Sequence, residues 1–395
     1  MIVASMRATD HGPPASGHQG TRLRVLTLVD KLKVGGGAER AAVALATHLP
    51  RDRFDVTVAT TRPSGGPLLA SLRGSHVRYM TLDRRHRFDM LAFRRLFAVL
   101  REERIDVLHA HMFGSNVWGS IFGRVAGVPA VIAHEHTWSY EGQPVRRFLD
   151  GRVIGRLVDA FVCVSERDRD RMIELEGVPP GKIVLLPNPY VPRPSANGGD
   201  ARAQLGIEPH APLITTVTVL RPQKALEVLI DAFAQVSRSL PDTRLVIAGN
   251  GPRREALEQH ARDLGVSDRV RFPGWWDDVS GLLRTADVAA MSSDYEGSPL
   301  FGLECMAHGI PLVSTDVGNI GTVLGEGVTL VPPRDAAALA AALESLLRDP
   351  ARRAAQAAAA ATRLSRYHID NVALEFGALY ERIVAENRQR RRTER

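Results

Sequence analysis

Two glutamates eight residues apart carry the clearest chemistry in the chain: Glu296 and Glu304, in Ser293-Asp294-Tyr295-Glu296-Gly297-Ser298-Pro299-Leu300-Phe301-Gly302-Leu303-Glu304. Ser298 is a good helix N-cap and Pro299 suits the first helical position, so a helix is predicted to begin there. Gly297 allows a tight turn just before it. The free amides from Ser298 to Phe301, those of Ser298, Leu300 and Phe301 since Pro299 has no N–H to give, would then belong to a helix N-terminus, which attracts anions. Glu296 stands just outside that end, and Glu304 lies a little over one turn inside. A carboxylate there can accept both hydroxyls of a ribose. Amides for phosphate, one acid for ribose and one for a sugar together suit a nucleoside diphosphate sugar. An arbitrary glutamate pair at this spacing is ordinarily a capped helix with two solvated acids, so the residues around it must decide.

The elements needed to position such a site are present. In the first half, strands are predicted at Leu23–Val29, Phe54–Thr60, Ile105–Leu108, Ala130–Ala133 and Ala160–Val164, with helical stretches such as Ala38–Leu49 between them. These runs are apolar throughout, as parallel strands covered on both faces require. The alternation breaks at Pro187-Asn188-Pro189 and the Pro/Gly-rich residues after it, the best domain boundary in the chain. It restarts with strands at Leu213–Leu220, Arg244–Ala248, Val270–Phe272, Val288–Met291 and Pro311–Ser314. Helices are predicted at Ala225–Ser237, Arg254–Leu264, Leu300–His308, Ala336–Leu347, Arg352–Leu364 and about Asn371–Arg388. Strand and helix repeated in this way predict two doubly wound α/β domains, with a cleft between them as the default ligand site.

The Glu pair, the Ser-Pro between its members and the trailing Gly309-Ile310-Pro311 resemble the Glu-x7-Glu signature of family 4 glycosyltransferases. Gly35-Gly36-Gly37-Ala38-Glu39-Arg40 resembles that family's N-terminal glycine loop, and Leu186-Pro187-Asn188-Pro189 its end-of-domain signature. Val246-Ile247-Ala248-Gly249-Asn250-Gly251-Pro252 resembles its second-domain glycine turn. Val270-Arg271-Phe272-Pro273-Gly274-Trp275 and Leu330-Val331-Pro332-Pro333 follow in the family's order. Each motif is weak alone; the ordered set, over about residues 22 to 385, is specific.

The resemblance implies a GT-B architecture: two Rossmann-like domains facing each other across a cleft. The implied boundaries are a leader at 1–21, an acceptor domain at 22–190, a linker at 191–200, a donor domain at 201–368, and a C-terminal helix with a basic tail at 369–395, returning toward the first domain. It implies a retaining transfer from a nucleotide diphosphate sugar, a UDP-sugar by default, to a hydroxyl acceptor, in polysaccharide, glycolipid or metabolite glycosylation. In that scheme Glu304 holds the ribose and Glu296 contacts the transferred sugar. The amides of Ser298 to Phe301 hold the outer phosphate, and Gly36 and Gly37 close over the diphosphate from the other domain. The turn at Gly249, Asn250 and Gly251 belongs to the donor site. Lys224 neutralises the leaving diphosphate, where a fixed cation helps most. His136 is the implied active-site histidine, with His134 as fallback. The chain departs from the family in two places. Val219 occupies a position where arginine is usual, with Arg221 the expected substitute, and Ala225 follows the lysine where glycine is common.

Four histidines crowd the ends of two strands: His109, His111, His134 and His136. No Cys or carboxylate cluster completes a metal site in the sequence, and the strands are expected to end before both pairs can share a face, so neither metal nor cofactor is expected. Two cysteines, Cys163 and Cys305, sit far apart in apolar stretches and read as free buried thiols of a reducing compartment. No stretch approaches the roughly 18 apolar residues of a spanning helix, and residues 1–21 lack the apolar run of a signal peptide. A cytoplasmic protein is expected, seated at most peripherally on the inner face of a membrane. The net charge of +7 owes much to the tail Arg388–Arg395, which is ordinarily a solvated end, and no nucleic-acid partner is expected. Arg84-Arg85-His86-Arg87 is a candidate contact for a lipid phosphate or an anionic membrane, although a solvated loop is the commoner meaning. The Ala- and Arg-rich composition suits a GC-rich bacterial source. Rival readings are a sugar-nucleotide epimerase or a phosphorylase on the same fold, a dinucleotide oxidoreductase, which the lack of Gly-x-Gly-x-x-Gly spacing disfavours, and an inactive nucleotide-sugar-binding partner of another transferase.

Overall fold

The computed structural model describes residues 22–32, 36–86, 88–136, 143–192, 200–297 and 299–394. Continuous apolar runs such as Val25–Val29 have no face to give to water, and the structure buries them completely in two parallel sheets. Among the described residues the first sheet holds β1 (Leu23–Val29), β2 (Phe54–Thr60), β3 (Arg78–Thr81), β4 (Val107–His111), β5 (Ala130–His134), β6 (Ala160–Cys163) and β7 (Ile183–Leu185), in the order β3-β2-β1-β4-β5-β6-β7. The second holds β8 (Leu213–Val217), β9 (Arg244–Ala248), β10 (Val270–Gly274), β11 (Val288–Met291), β12 (Leu312–Thr315) and β13 (Val328–Val331), in the order β10-β9-β8-β11-β12-β13. Helices cover the sheets, giving two Rossmann-like α/β domains of GT-B type. In each sheet the strand order reverses once, between β1 and β4 and between β8 and β11. A doubly wound sheet binds ligands at such switch points, beyond the carboxyl ends of the strands.

Three strands are absent from the sequence reading: β3, β7 and β13. All lie at sheet edges, have at most four residues, and are only partly buried. An edge strand needs fewer apolar residues, so the periodic signal is weak. The strand predicted from Ile105 begins at Val107 instead and runs on to His111, and the strand predicted to reach Leu220 ends at Val217.

The two domains are joined by a pair of crossings that run side by side. The backbone N–H of Tyr190 donates to the Tyr367 carbonyl at 2.6 Å, and that of Ile369 donates to the Tyr190 carbonyl at 2.9 Å. The second crossing leads into the helix Ile369–Thr393, which buries Phe376, Leu379, Tyr380 and Ile383 in the first domain's core beside Leu49, Phe54 and Val107. Gly377 permits the close approach, since a Cβ there would stand 3.1 Å from the Phe54 ring. Cys163 and Cys305 are both buried free thiols, and burial pushes the Cys163 thiol up to about 12. Among the described residues no helix is long and apolar enough to cross a membrane.

Candidate functional site

The carboxyl ends of β1, β4, β8 and β11, the strands on either side of each switch point, and the segments that follow them carry Gly36–Gly37, His111, Lys224 and Glu296. Glu296 is buried, and its Oε1 accepts hydrogen bonds from Lys224 Nζ at 2.6 Å and Ser293 Oγ at 2.6 Å. Its loop is fixed from two sides. Ser292 Oγ donates to the Lys224 carbonyl at 2.9 Å, the Asp294 amide to the Gln223 carbonyl at 2.9 Å, and Gln223 Nε2 to the Tyr295 carbonyl at 3.0 Å. Thr315 Oγ1 donates to the Ser293 carbonyl at 2.6 Å. Gly318, at φ +61°, packs so closely that a Cβ would stand 1.8 Å from the Glu296 carbonyl oxygen. A carboxylate and an ammonium held by this many backbone bonds keep their geometry without ordering cost when substrate arrives.

Glu304 is buried on the helix Leu300–Ala307. That helix starts at Leu300, where the predicted span Leu300–His308 begins, and Pro299 is the flanking cap residue (φ −82°, ψ 69°) and not the first helical one. Ser298 lies outside the described residues, as does Gly35. Oε1 of Glu304 accepts from the Arg40 guanidinium at 3.0 Å, a bond from the first domain to the second. Arg40, Ala41, Pro189, Tyr190, Val191, Leu300 and Glu304 line one pocket between the domains. Gly36 caps the helix Gly37–His48, and a Cβ on Gly37 would meet Leu300 Cδ1 at 3.1 Å, so the glycine loop abuts the donor-side helix.

The turn at Gly249–Gly251 supports the loop that leads to Lys224. A Cβ on Gly249 (φ +132°) would stand 1.8 Å from the Thr218 carbonyl, and one on Gly251 would stand 2.4 Å from that of Leu220. The amides of Thr218 and Leu220 donate to the carbonyls of Ala248 and Asn250 at 2.9 and 3.0 Å. Arg221 is exposed and opens the single 3-10 turn Pro222–Lys224, while Val219 is half-buried. Ala225 closes that turn in the left-handed conformation, φ 43° and ψ 44°.

The histidines come together more completely than the sequence reading allowed. β4 and β5 continue through His111 and His134, which are register partners, so His109, His111 and His134 share one face. His136 lies just beyond β5 yet stacks on His134, with ring centroids 4.0 Å apart. His109 Nδ1 shares a 2.6 Å hydrogen bond with the Tyr380 hydroxyl, and His111 Nδ1 shares one of 3.0 Å with His136 Nε2. His136 Nδ1 bonds Asn188 Oδ1 at 2.7 Å. Asn188 Oδ1 can only accept, so a neutral His136 carries its proton on Nδ1 and accepts from His111 at Nε2. Both ring nitrogens of His136 are therefore engaged within the protein. Burial drives all four below the ordinary histidine value, His136 to about 4 and His109 to about 3, so the stack is neutral at pH 7.

Ligand atoms of His109, His111 and His134 lie within 4.8 Å of one another, which corrects the expectation that the pairs would not share a face. This group contains no carboxylate or thiolate, and Phe376 packs on its rings. Among the described residues, His109 Nε2, His111 Nε2 and both nitrogens of His134 have no hydrogen-bond partner, and three imidazoles are a donor set that zinc can take, although the group offers no anionic ligand to offset the charge of an ion.

Sequence reasoning gave no role to Arg40, Asn188 or Tyr380. Arg40 and Asn188 lie within motifs that it singled out. Tyr380 is 271 residues from its histidine, and nothing local marks it.

Comparison with known proteins shows the family and the fold. Residues 35–192 match the family described as Glycosyltransferase Family 4, and residues 199–363 match Glycosyl transferases group 1. The chain is 30% identical over 377 residues to a D-inositol 3-phosphate glycosyltransferase of Kineococcus radiotolerans, covering 83% of this chain and 86% of that protein. It is 27% identical over 300 residues to the Escherichia coli UDP-Gal:alpha-D-GlcNAc-diphosphoundecaprenol alpha-1,3-galactosyltransferase, covering 72% and 77%. Among solved structures, Anabaena HepE in complex with UDP superposes with a TM-score of 0.77 at 22% identity, covering 91% of this chain and all of that one. Sucrose-phosphate synthase of Thermosynechococcus elongatus gives 0.75 at 22%, covering 92% and 100%. With a family 4 domain followed by a group 1 domain, the chain belongs to the GT-B glycosyltransferases, enzymes that move a sugar from a nucleotide sugar to an acceptor.

Proposed function

We propose that the chain is a retaining glycosyltransferase that takes its sugar from a UDP-sugar and binds it through Glu304, Glu296, Lys224 and the amides at the start of the helix Leu300–Ala307. The observation that carries this reading is the pocket where Glu304 and Leu300 of the second domain face Arg40 and Ala41 of the first. A nucleotide held on Glu304 by its ribose directs its diphosphate along the helix N-terminus, toward Gly36–Gly37 and Lys224. Glu296, bonded to Lys224, then meets the sugar. In front-face transfer the bond from the anomeric carbon to the diphosphate oxygen breaks and the bond to the acceptor oxygen forms on the same face. The acceptor's proton passes to the departing diphosphate oxygen. The protein supplies position and charge, with Lys224 opposite the charge that develops on the leaving group.

His136 acts in this reading as a neutral positioning group. Its bond to Asn188 steadies the segment whose next residues, Pro189 and Tyr190, line the pocket. UDP is favoured because the Escherichia coli relative is named for UDP-Gal and the Anabaena structure holds UDP. The acceptor side is a rim where Phe88, Met90 and Leu91 are exposed beside Arg85 and Arg94, a surface suited to a lipid-linked acceptor at an anionic membrane.

The test is a binding panel of UDP, GDP, ADP and dTDP, read by thermal shift, on wild type and on Glu304→Ala and Glu296→Ala. A ligand at a hundredfold excess over its dissociation constant stabilises by about 2.7 kcal/mol. UDP is expected to raise the wild-type midpoint, Glu304→Ala to lose that rise, and Glu296→Ala to keep most of it while losing transfer. No rise with any diphosphate would overturn the reading. Inverted anomeric configuration in the product would overturn retention.

A further inference from the structure

Arg40 stands one turn into the helix Gly37–His48, its amide bonded to the Gly36 carbonyl at 3.1 Å. Its guanidinium crosses the cleft and donates to Glu304 Oε1 at 3.0 Å. The two ends of this bond differ: 37% of the Arg40 side chain is exposed, against 9% of Glu304. The carboxylate is therefore fixed and the guanidinium is the partner free to swing. An ion pair with one exposed member contributes little, so a ligand that offers better partners can open it.

A ribose diol that takes the Glu304 carboxylate competes directly with Arg40. The same nucleotide brings the partner that an arginine prefers, since the oxygens of a diphosphate match the guanidinium fork and carry more charge than one carboxylate. The chain also needs such a cation. Val219 carries no charge and Arg221 lies exposed at the start of the turn, leaving Lys224 as the charge fixed at the loop. A Cβ on Gly37 would stand 3.1 Å from Leu300 Cδ1, so the base of Arg40 lies close to the helix start where the diphosphate is placed.

We propose that Arg40 changes partners during binding: it holds Glu304 across the cleft until the nucleotide enters, then passes to the diphosphate as the ribose takes Glu304. One residue thus latches the domains and clamps the donor, and it adds from the first domain a guanidinium to the charge of Lys224. The inference rests on the donor-site reading given above.

The proposal makes the nucleoside and its diphosphate respond oppositely. Uridine competes with Arg40 and gains nothing from it, whereas UDP competes and is then repaid by it. Dissociation constants for uridine and UDP should be measured by calorimetry on wild type, Arg40→Ala and Arg40→Lys, with thermal midpoints checking that each variant is folded. In Arg40→Ala the UDP affinity should fall by about tenfold or more, the loss of one charge-assisted bond, while uridine affinity stays level or rises. Arg40→Lys, which keeps the charge without the fork, should fall between the two. An unchanged ratio of UDP to uridine affinity in Arg40→Ala would overturn the partner exchange, whether both ligands weaken together or neither moves. Wild type that binds no nucleoside diphosphate at all would instead overturn the donor-site reading beneath it.

Discussion

Ala225 shows how one residue records a departure that the backbone still feels. It follows Lys224 at φ 43°, in the left-handed region, and is buried. That conformation costs an L residue roughly 1–2 kcal/mol, which is why glycine suits the position. Glycine brings its own cost of about 0.5–1 kcal/mol through the freedom it adds to the unfolded chain. Ala225→Gly is therefore expected to raise unfolding free energy by up to about 1.5 kcal/mol, measured as a shift in the urea midpoint. A loss of more than that would show that the methyl group packs better than its backbone angle suggests. The sequence exposed this departure, and it exposed Glu296, Glu304 and Lys224, because each falls in a motif whose chemistry is local. It could not expose the partner of Glu304, since the pairing of Arg40 with Glu304 spans 264 residues and exists only once the domains face each other.

At the scale of elements, the end of β6 and the helix Glu166–Arg171 reach across to the loop that carries Glu296. Tyr295 donates its hydroxyl to Asp168 Oδ1 at 3.2 Å, and Asn319 Nδ2 donates to the Val164 carbonyl at 3.1 Å. Burial pushes the Asp168 carboxyl up to about 6, against bonds from Ser165 and Tyr295 that lower it. The folded protein therefore holds this proton more tightly than the unfolded chain, whose carboxyl titrates near 3.8. The stability so gained is full below about pH 4 and is lost as pH rises through 6. Asp168→Asn keeps an acceptor for Tyr295 and cannot ionise. Its unfolding free energy at pH 7.5 should exceed wild type by about 1–3 kcal/mol, the worth of a two-unit shift at most, and the gain should vanish near pH 4. An equal gain at both pH values would mean that the charge on Asp168 is not the cause. Neither Asp168 nor the edge strands β3, β7 and β13 was legible in advance. The carboxyl is buried by a domain contact, and the edges are stabilised by pairing more than by their own apolar residues.

For the molecule as a whole, the neutral histidine stack links the first sheet to the C-terminal helix through Tyr380 and to the interdomain segment through Asn188. Its protonation state therefore bears on global stability. All four histidines have their affinity for protons lowered by burial, whereas in the unfolded chain they titrate near 6.5. Below that pH the unfolded chain takes up protons that the folded protein refuses. Stability is thus complete above about pH 6.5 and is lost as pH falls toward 4 and 3, the values of His136 and His109. Two carboxyls act in the opposite sense over the same range: Asp168, and Asp150, which burial raises to about 9 with Glu135 and Glu176 beside it. Four protons against two leave a net uptake of about two on unfolding, or a fall of about 3 kcal/mol per pH unit between pH 6 and 5. Urea unfolding followed across that interval measures the slope directly. Replacing His134, whose two nitrogens have no hydrogen-bond partner, by Gln should reduce the slope by one proton, about 1.4 kcal/mol per unit. A wild-type slope near zero would mean that the stack already carries charge, and that the imidazoles beneath the cleft are not the neutral positioning groups their burial makes them.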